Sequence, residues 1–115
     1  MKRSKYGAKP TSITYKGKEV KCASKAEAKR FGELILLERA GEISQLAFHP
    51  RIPLYARAPG EGKKIADYVC DATYVEPGHE RVFEEIKGHE TDVWKLKKKI
   101  FHANYPYATL RVVKA

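Results

Sequence analysis

Glu85 and Lys87 are the residues whose types and spacing first suggest chemistry. They stand two apart in the run Arg81-Val-Phe-Glu-Glu-Ile-Lys87. Side chains alternate faces along a strand, so Phe83, Glu85 and Lys87 share one side while Val82, Glu84 and Ile86 share the other. Upstream, Asp67 and Asp71 share one parity in the segment Lys64 to Glu76, which Pro77-Gly78 turns back toward the Glu85 strand. Two carboxylates beside a lysine suit phosphodiester hydrolysis. Carboxylate oxygens can hold Mg²⁺ or Mn²⁺, the ion polarises the phosphate and lowers the pKa of a water, and an ammonium orients that water or offsets developing negative charge. Four residues of strand span about 13 Å, so only one of Asp67 and Asp71 can sit beside Glu85. Glu84 faces away and is expected to be structural. Taken alone, an acid followed by Glu-x-Lys is also the pattern of an ordinary solvated strand face.

Glu27 adds a third carboxylate. It shares one side of a helix with Phe31 at i+4 and Leu34 at i+7, and a carboxylate on an apolar stripe is costly without a partner. A metal ion or a lysine would supply one. Ser24-x-x-Glu27 also fits a capping box, in which Glu27 bonds back to the Ser24 amide. Both roles stand at this level.

The elements that must position these groups follow from periodicity and turn chemistry. Residues 1–11, with Lys2, Arg3, Lys5 and Lys9, read as a flexible basic arm, and residues 12–115 as one domain. Ser12 to Cys22 forms a hairpin turning at Gly17; a helix runs from Lys25 to Ala40, capped by Ser24 and stopped by Gly41. Two short extended pieces lie between Ile43 and Tyr55, interrupted by Pro50 and Pro53, and a polar loop covers residues 58–63. Residues 64–76 read as one long strand and Arg81 to Lys87 as its return. Thr91 caps a second helix reaching Asn104, and Tyr107 to Val113 closes the order. Strands, helix, strands, helix, strand imply an α/β (α+β) sandwich around a central mixed sheet flanked by helices.

The second helix places Val93, Leu96, Ile100 and Ala103 at helical spacing, a stripe expected to pack on the sheet, with Trp94 and Phe101 as further packing residues. Its other positions include Lys95, Lys98, Lys99 and His102, a basic face suited to phosphates. The whole chain has 23 Lys plus Arg against 14 Asp plus Glu, a net charge of +9, which favours a polyanion such as DNA. Lys5 and Lys9 of the arm are expected to join that surface. No apolar run approaches the roughly 18 to 20 residues of a spanning helix, and the N-terminus lacks the apolar core of a signal peptide, so a cytoplasmic location is expected. Cys22 and Cys70 are expected as reduced packing residues. His49, His79, His89 and His102 show no metal-ligand spacing; His89 lies nearest in sequence to the Glu85–Lys87 pair.

The order of Ser24-Lys-x-Glu-Ala28, Ile65-Ala-Asp-Tyr68, Glu85-Ile-Lys-Gly88 and Thr91-Asp-Val-Trp-Lys-Leu-Lys97 resembles short phage and prophage proteins assigned to the PD-(D/E)XK nuclease superfamily, which includes Holliday-junction resolvases and endonuclease I-like enzymes. The resemblance runs from about Lys5 to Val113, with Ala66 standing where a proline is common. It implies a restriction-endonuclease-like fold and a Mg²⁺- or Mn²⁺-dependent DNA endonuclease. Glu27, Asp67, Glu85 and Lys87 would be catalytic. Asp67, Glu85, the Ile86 carbonyl and, as a further ligand, Glu27 would hold the ion. The Ile-Ala-Asp-Tyr context selects Asp67 over Asp71. Branched recombination intermediates are an implied substrate, and the compartment would be the cytoplasm of a bacterial host if the protein is phage-encoded. Cutting two strands together would require a homodimer, by stoichiometry alone. Two other readings remain: a non-catalytic nucleic-acid-binding protein whose carboxylates form structural ion pairs, and a protein that binds a host factor.

Overall fold

The computed structural model describes residues 11–57 and 61–114 and has a mixed α+β architecture. The basic arm with Lys5 and Lys9 lies outside the described residues. Strands β1 (Thr11–Tyr15) and β2 (Lys18–Cys22) form the expected hairpin. Its two-residue turn puts both Lys16 and Gly17 at positive φ, 50° and 78°, as a twist-matched hairpin turn requires. Helix α1 (Lys25–Arg39) starts where the Ser24 hydroxyl accepts the Glu27 amide at 3.2 Å. It stops at Gly41, φ 78°, with the amides of Gly41 and Glu42 donating to the carbonyls of Glu38 and Leu37. That pairing satisfies the last turn's orphan carbonyls and needs a left-handed residue.

Strands β3 (Ser44–Phe48), β6 (Ala72–Val75), β7 (Arg81–Lys87) and β8 (Thr109–Lys114) form the main sheet in that spatial order. The β7–β8 pair is parallel and the other pairs antiparallel, so the sheet is mixed, and helix α2 (Asp92–Asn104) makes the β7–β8 crossover. Strands β4 (Arg51–Tyr55) and β5 (Lys64–Val69) pair separately. Thus the single strand expected over 64–76 is divided at Cys70 and Asp71. Phe48 pairs with Ala72 on one side of the division and Arg51 with Val69 on the other. The two pairs are therefore one antiparallel ribbon bent at His49–Pro50 and Cys70–Asp71. Pro50 and the left-handed His49, φ 52°, break one strand. Asp71, a poor strand former with a short polar side chain, breaks the other.

Two apolar layers lie on opposite faces of β7. Phe31 and Leu34 of α1 pack with Leu46, Tyr74 and Val82 on one face; Trp94 and Phe101 of α2 pack with Leu54, Tyr68 and Phe83 on the other. Strand parity holds for β7: Val82 and Ile86 enter the first layer and Phe83 the second.

The buried face of α2 differs from the expected stripe. Val93 and Leu96 are 66% and 59% exposed and Ala103 is exposed; Ile100 of the stripe packs against the core, Trp94 and Phe101 are buried as expected, and Asn104 joins them. The helix turns its larger, polar-tipped residues inward because acceptors and donors await them. The Trp94 indole N–H donates to Glu85 at 3.0 Å, and the Asn104 side chain accepts from the Tyr55 amide at 2.7 Å and donates to the Arg57 carbonyl at 3.0 Å. Burying an aromatic with its polar edge satisfied outweighs burying smaller aliphatics. Among the described residues, no helix is long and apolar enough to cross a membrane.

Candidate active site

Four elements converge where the ribbon bends. Glu27, on the first turn of α1, is 5% exposed. One of its oxygens accepts the Ala23 amide at 3.4 Å, a return bond made one residue earlier than the capping box expected; the other lies 3.1 Å from His49 Nε2. Cap and site contact therefore coexist, one oxygen each.

Asp71, at the division between β5 and β6, accepts the Ile86 amide at 2.6 Å through its carboxylate. Its own amide donates to Glu84 O, and its carbonyl accepts the His49 amide at 2.9 Å. These bonds fix the residue between the two strands it separates. Burial raises the Asp71 carboxyl above its usual range, opposed by hydrogen bonds with Glu85 and the Ile86 amide and reinforced by Glu27.

Glu85, 4% exposed, accepts from Tyr68 Oη at 2.7 Å and Trp94 Nε1 at 3.0 Å, both at Oε1. Its carboxyl is pushed up to about 7, first by burial and next by its hydrogen bond to Asp71, against donation from Tyr68. Burial thus pushes both carboxyls toward the protonated form, and Asp71 pushes Glu85 further, as crowding does. Burial and Glu85 likewise raise the Tyr68 phenol, which stays a donor. Lys87 lies near both acids, favouring their charged forms, and its Nζ stands 5.1 Å over the Trp94 ring.

The structure brings Glu27, Glu85 and Lys87 together, but the acid beside Glu85 is Asp71, not Asp67. Asp67 remains on β5, where its carboxylate meets Arg51 at 3.3 Å and Lys64 at 3.4 Å and its carbonyl accepts Lys97 Nζ at 2.9 Å. It lines the outer part of a cleft that also reaches Asp71, Glu85 and Lys87. The shared parity of Asp67 and Asp71 ceases to matter once the strand is divided between them. Of Ile86, the group tied to the acids is the amide rather than the carbonyl.

His49 is the residue that sequence spacing missed. Its ring packs edge-on against Phe31 at 5.6 Å, and one ligand atom each from Glu27, His49 and Asp71 lie within 4.8 Å of one another. The one signal in the sequence was His49-Pro50, a strand end; its pairing with Asp71 needs the ribbon's register.

A groove of about 650 Å³ opens beside Lys87, with His89, Lys95, Lys98 and Lys114 on its walls. Lys98 Nζ sits 5.3 Å over the same Trp94 ring. Of the expected basic face, Lys95 and Lys98 line this groove; Lys99 and His102 are exposed outside it. Lys114, from β8, was not anticipated.

No curated protein and no solved structure matches the chain. Over residues 3–115 the sequence matches a family described as protein of unknown function, DUF1064, and the chain belongs to that family.

Proposed function

We propose that this protein is a divalent-metal-dependent nuclease that hydrolyses DNA phosphodiester bonds, with Glu27, Asp71, Glu85 and Lys87 as its active site. The observation that carries the reading is the convergence of three buried or half-buried carboxylates and a lysine at the end of a lysine-walled groove. The donor set fits a divalent ion: hard oxygens predominate, and a cation would relieve two carboxyls that burial, and for Glu85 also Asp71, raises toward the protonated form. Bound there, the ion would act as a Lewis acid on a phosphoryl oxygen and lower the pKa of the attacking water.

The chain's own residues do the rest. Asp71 and Glu85 hold the ion's side of the site, each fixed by donors: the Ile86 amide for one, Tyr68 and Trp94 for the other. The Lys87 ammonium would orient the water and offset negative charge building on the phosphoryl oxygens as the new P–O bond forms and the bond to the sugar oxygen breaks, the water's proton passing to solvent and the sugar oxygen taking one from it. Lys95, Lys98 and Lys114 neutralise flanking phosphates, and Trp94, under Lys87 and Lys98, limits where those ammoniums can go. The superfamily resemblance extends the proposal to branched DNA, and paired cuts would take a homodimer.

The alternative, a non-catalytic DNA binder, draws on one observation: Glu85 already has two protein donors. Linear, single-stranded and four-way-junction DNA incubated with Mg²⁺, Mn²⁺ or EDTA separates the readings. Cleavage that needs the ion and is lost in Glu85→Ala and Asp71→Asn is the expected result. Binding without metal-dependent cutting, or cutting that survives both substitutions, ends the enzymatic reading.

A further inference from the structure

His49 occupies a position that an ordinary surface histidine does not need. Its backbone is left-handed at φ 52°, a region uncommon for most residues but one that histidine, like Asn and Asp, adopts more readily. Three contacts hold it there: its amide on the Asp71 carbonyl at 2.9 Å, its ring edge on Phe31 at 5.6 Å, and Nε2 at 3.1 Å from Glu27. The ring is nonetheless 38% exposed, so it spans the distance between two enclosed acids and solvent. A histidine serving only as partner to Glu27 would have no reason to address Asp71. Here a single imidazole nitrogen lies within 4.8 Å of an oxygen from each acid, and the two oxygens lie within 4.8 Å of one another.

We infer that His49 is a metal ligand, and that it biases the site toward a first-row transition-metal ion such as Mn²⁺ over Mg²⁺. The inference rests on the nuclease reading for its context but concerns metal choice alone. Mg²⁺ takes oxygen ligands in a strict octahedron and gives up water reluctantly. Imidazole suits Fe²⁺, Ni²⁺, Cu²⁺ and Zn²⁺ best, and Mn²⁺, the weakest binder of that first-row series, accepts a mixed nitrogen and oxygen set more readily than Mg²⁺ does. Glu27, Asp71 and Glu85 alone would serve Mg²⁺ well. A nitrogen placed beside Glu27 and Asp71 penalises Mg²⁺ more than Mn²⁺. The ring also reaches the ion from the bend of the ribbon, so ligands from α1, β3–β4 and β5–β6 would be joined through it.

The test measures metal binding directly, on the full chain, with Mn²⁺ alone and Mg²⁺ alone. Free Mn²⁺ is counted from its electron paramagnetic resonance signal, and Mg²⁺ binding is followed by calorimetry. The wild type should bind Mn²⁺ at least tenfold more tightly than Mg²⁺. His49→Asn, whose side chain tolerates the left-handed backbone, should weaken Mn²⁺ binding by ~10–100-fold, the size typical of damage to a metal site, and Mg²⁺ binding by much less. Thermal unfolding of the metal-free variant checks that the fold survives. Substoichiometric Mn²⁺ should broaden the His49 ring protons in the NMR spectrum first among the four histidines. Equal affinities for the two ions in the wild type, unchanged Mn²⁺ affinity in a folded His49→Asn, or a sharp His49 resonance in the presence of Mn²⁺ would each overturn the assignment. His49-dependent Mn²⁺ binding in a protein that cuts no DNA keeps the ligand and ends the nuclease reading. Metal-dependent cutting with His49→Asn binding Mn²⁺ as the wild type does gives the reverse.

Discussion

Two adjacent glutamates on β7 are both buried, and they are solved in opposite ways. Glu84, fully enclosed on the α1 face, receives a two-pronged bond from Arg30, Nε at 2.7 Å and Nη2 at 2.9 Å, and a third from Tyr74 Oη at 2.6 Å. Glu85, one residue on and facing α2, has the neutral donors Tyr68 and Trp94 and is forced against a second acid, Asp71. A buried carboxylate matched by a guanidinium is complete. A pair of enclosed carboxyls raised toward the protonated form, one of them partly by the other, is a site suited to added positive charge. Burial alone therefore does not separate structure from function; what distinguishes the two glutamates is whether the protein itself supplies the counter-charge.

The largest expected effect tests the complete half. Arg30→Ala strands Glu84 in the core and should cost ~3–5 kcal/mol in urea unfolding. Removing both charges together, Arg30→Met with Glu84→Leu, should recover most of that loss. If Arg30→Ala costs under about 1 kcal/mol, the pair is not the structural device that its geometry indicates. Next comes the incomplete half. Lys87→Ala should lower metal-dependent cleavage by ~10²–10³-fold, about 2.7–4 kcal/mol of barrier, while the melting temperature moves little. Cleavage within a factor of three of the wild type would remove Lys87 from the chemistry.

The same comparison predicts an acid-favoured stability in EDTA. Glu85 titrates at about 7 in the fold against 4.5 as a free side chain, so the fold binds its proton more tightly than the unfolded chain does. The stabilisation is fully present below pH 4.5 and is lost as pH rises through about 7, a change on the order of 2–3 kcal/mol. Glu85→Gln should flatten that decline and leave the metal-free protein at least as stable as the wild type at pH 8. A wild-type stability that climbs steadily from pH 4.5 to 8 would mean that the two carboxyls are not in competition.

How much of this was legible in the sequence depends on the range of the interaction involved. The hairpin, both helices with their Ser24 and Thr91 caps, and the opposite facing of Glu84 and Glu85 follow from local rules, because turns, caps and strand alternation are settled within a few residues. The buried face of α2 is wider than the apolar pattern shows: Val93 and Leu96 obey that pattern but stay exposed, while Trp94 is held inward by Glu85 on the neighbouring strand and Asn104 by Tyr55, 49 residues away. The ribbon's bend escaped for a similar reason. Asp71 is a poor strand former, but so is Asp67, which stays inside β5; what singles out Asp71 appears only when the Ile86 amide and the His49 backbone meet it. His49 and Asp71 entered the site together, by register rather than by spacing.

The smallest expected effect is the sharpest for placing the acid. Asp67 and Asp71 are the same residue type four positions apart, and the superfamily resemblance favoured Asp67. Asp67 spends its carboxylate on Arg51 and Lys64, side chains 69% and 53% exposed, and such solvent-screened pairs contribute ~0–1 kcal/mol. Asp67→Asn should therefore shift stability by less than about 1 kcal/mol. Because the substitution also removes a negative charge from the rim of the cleft, DNA binding should tighten slightly at low salt and cleavage should stay within a few-fold of the wild type. Asp71→Asn, under the same assay, should abolish metal-dependent cutting. The two variants have the same composition and differ only in which of two positions four residues apart carries the change, so any difference between them reports where the strand divides. If Asp67→Asn instead proves as damaging as Asp71→Asn, the cation pair on β5 must release its acid when metal and DNA bind, and the site extends outward along β5 from the bend.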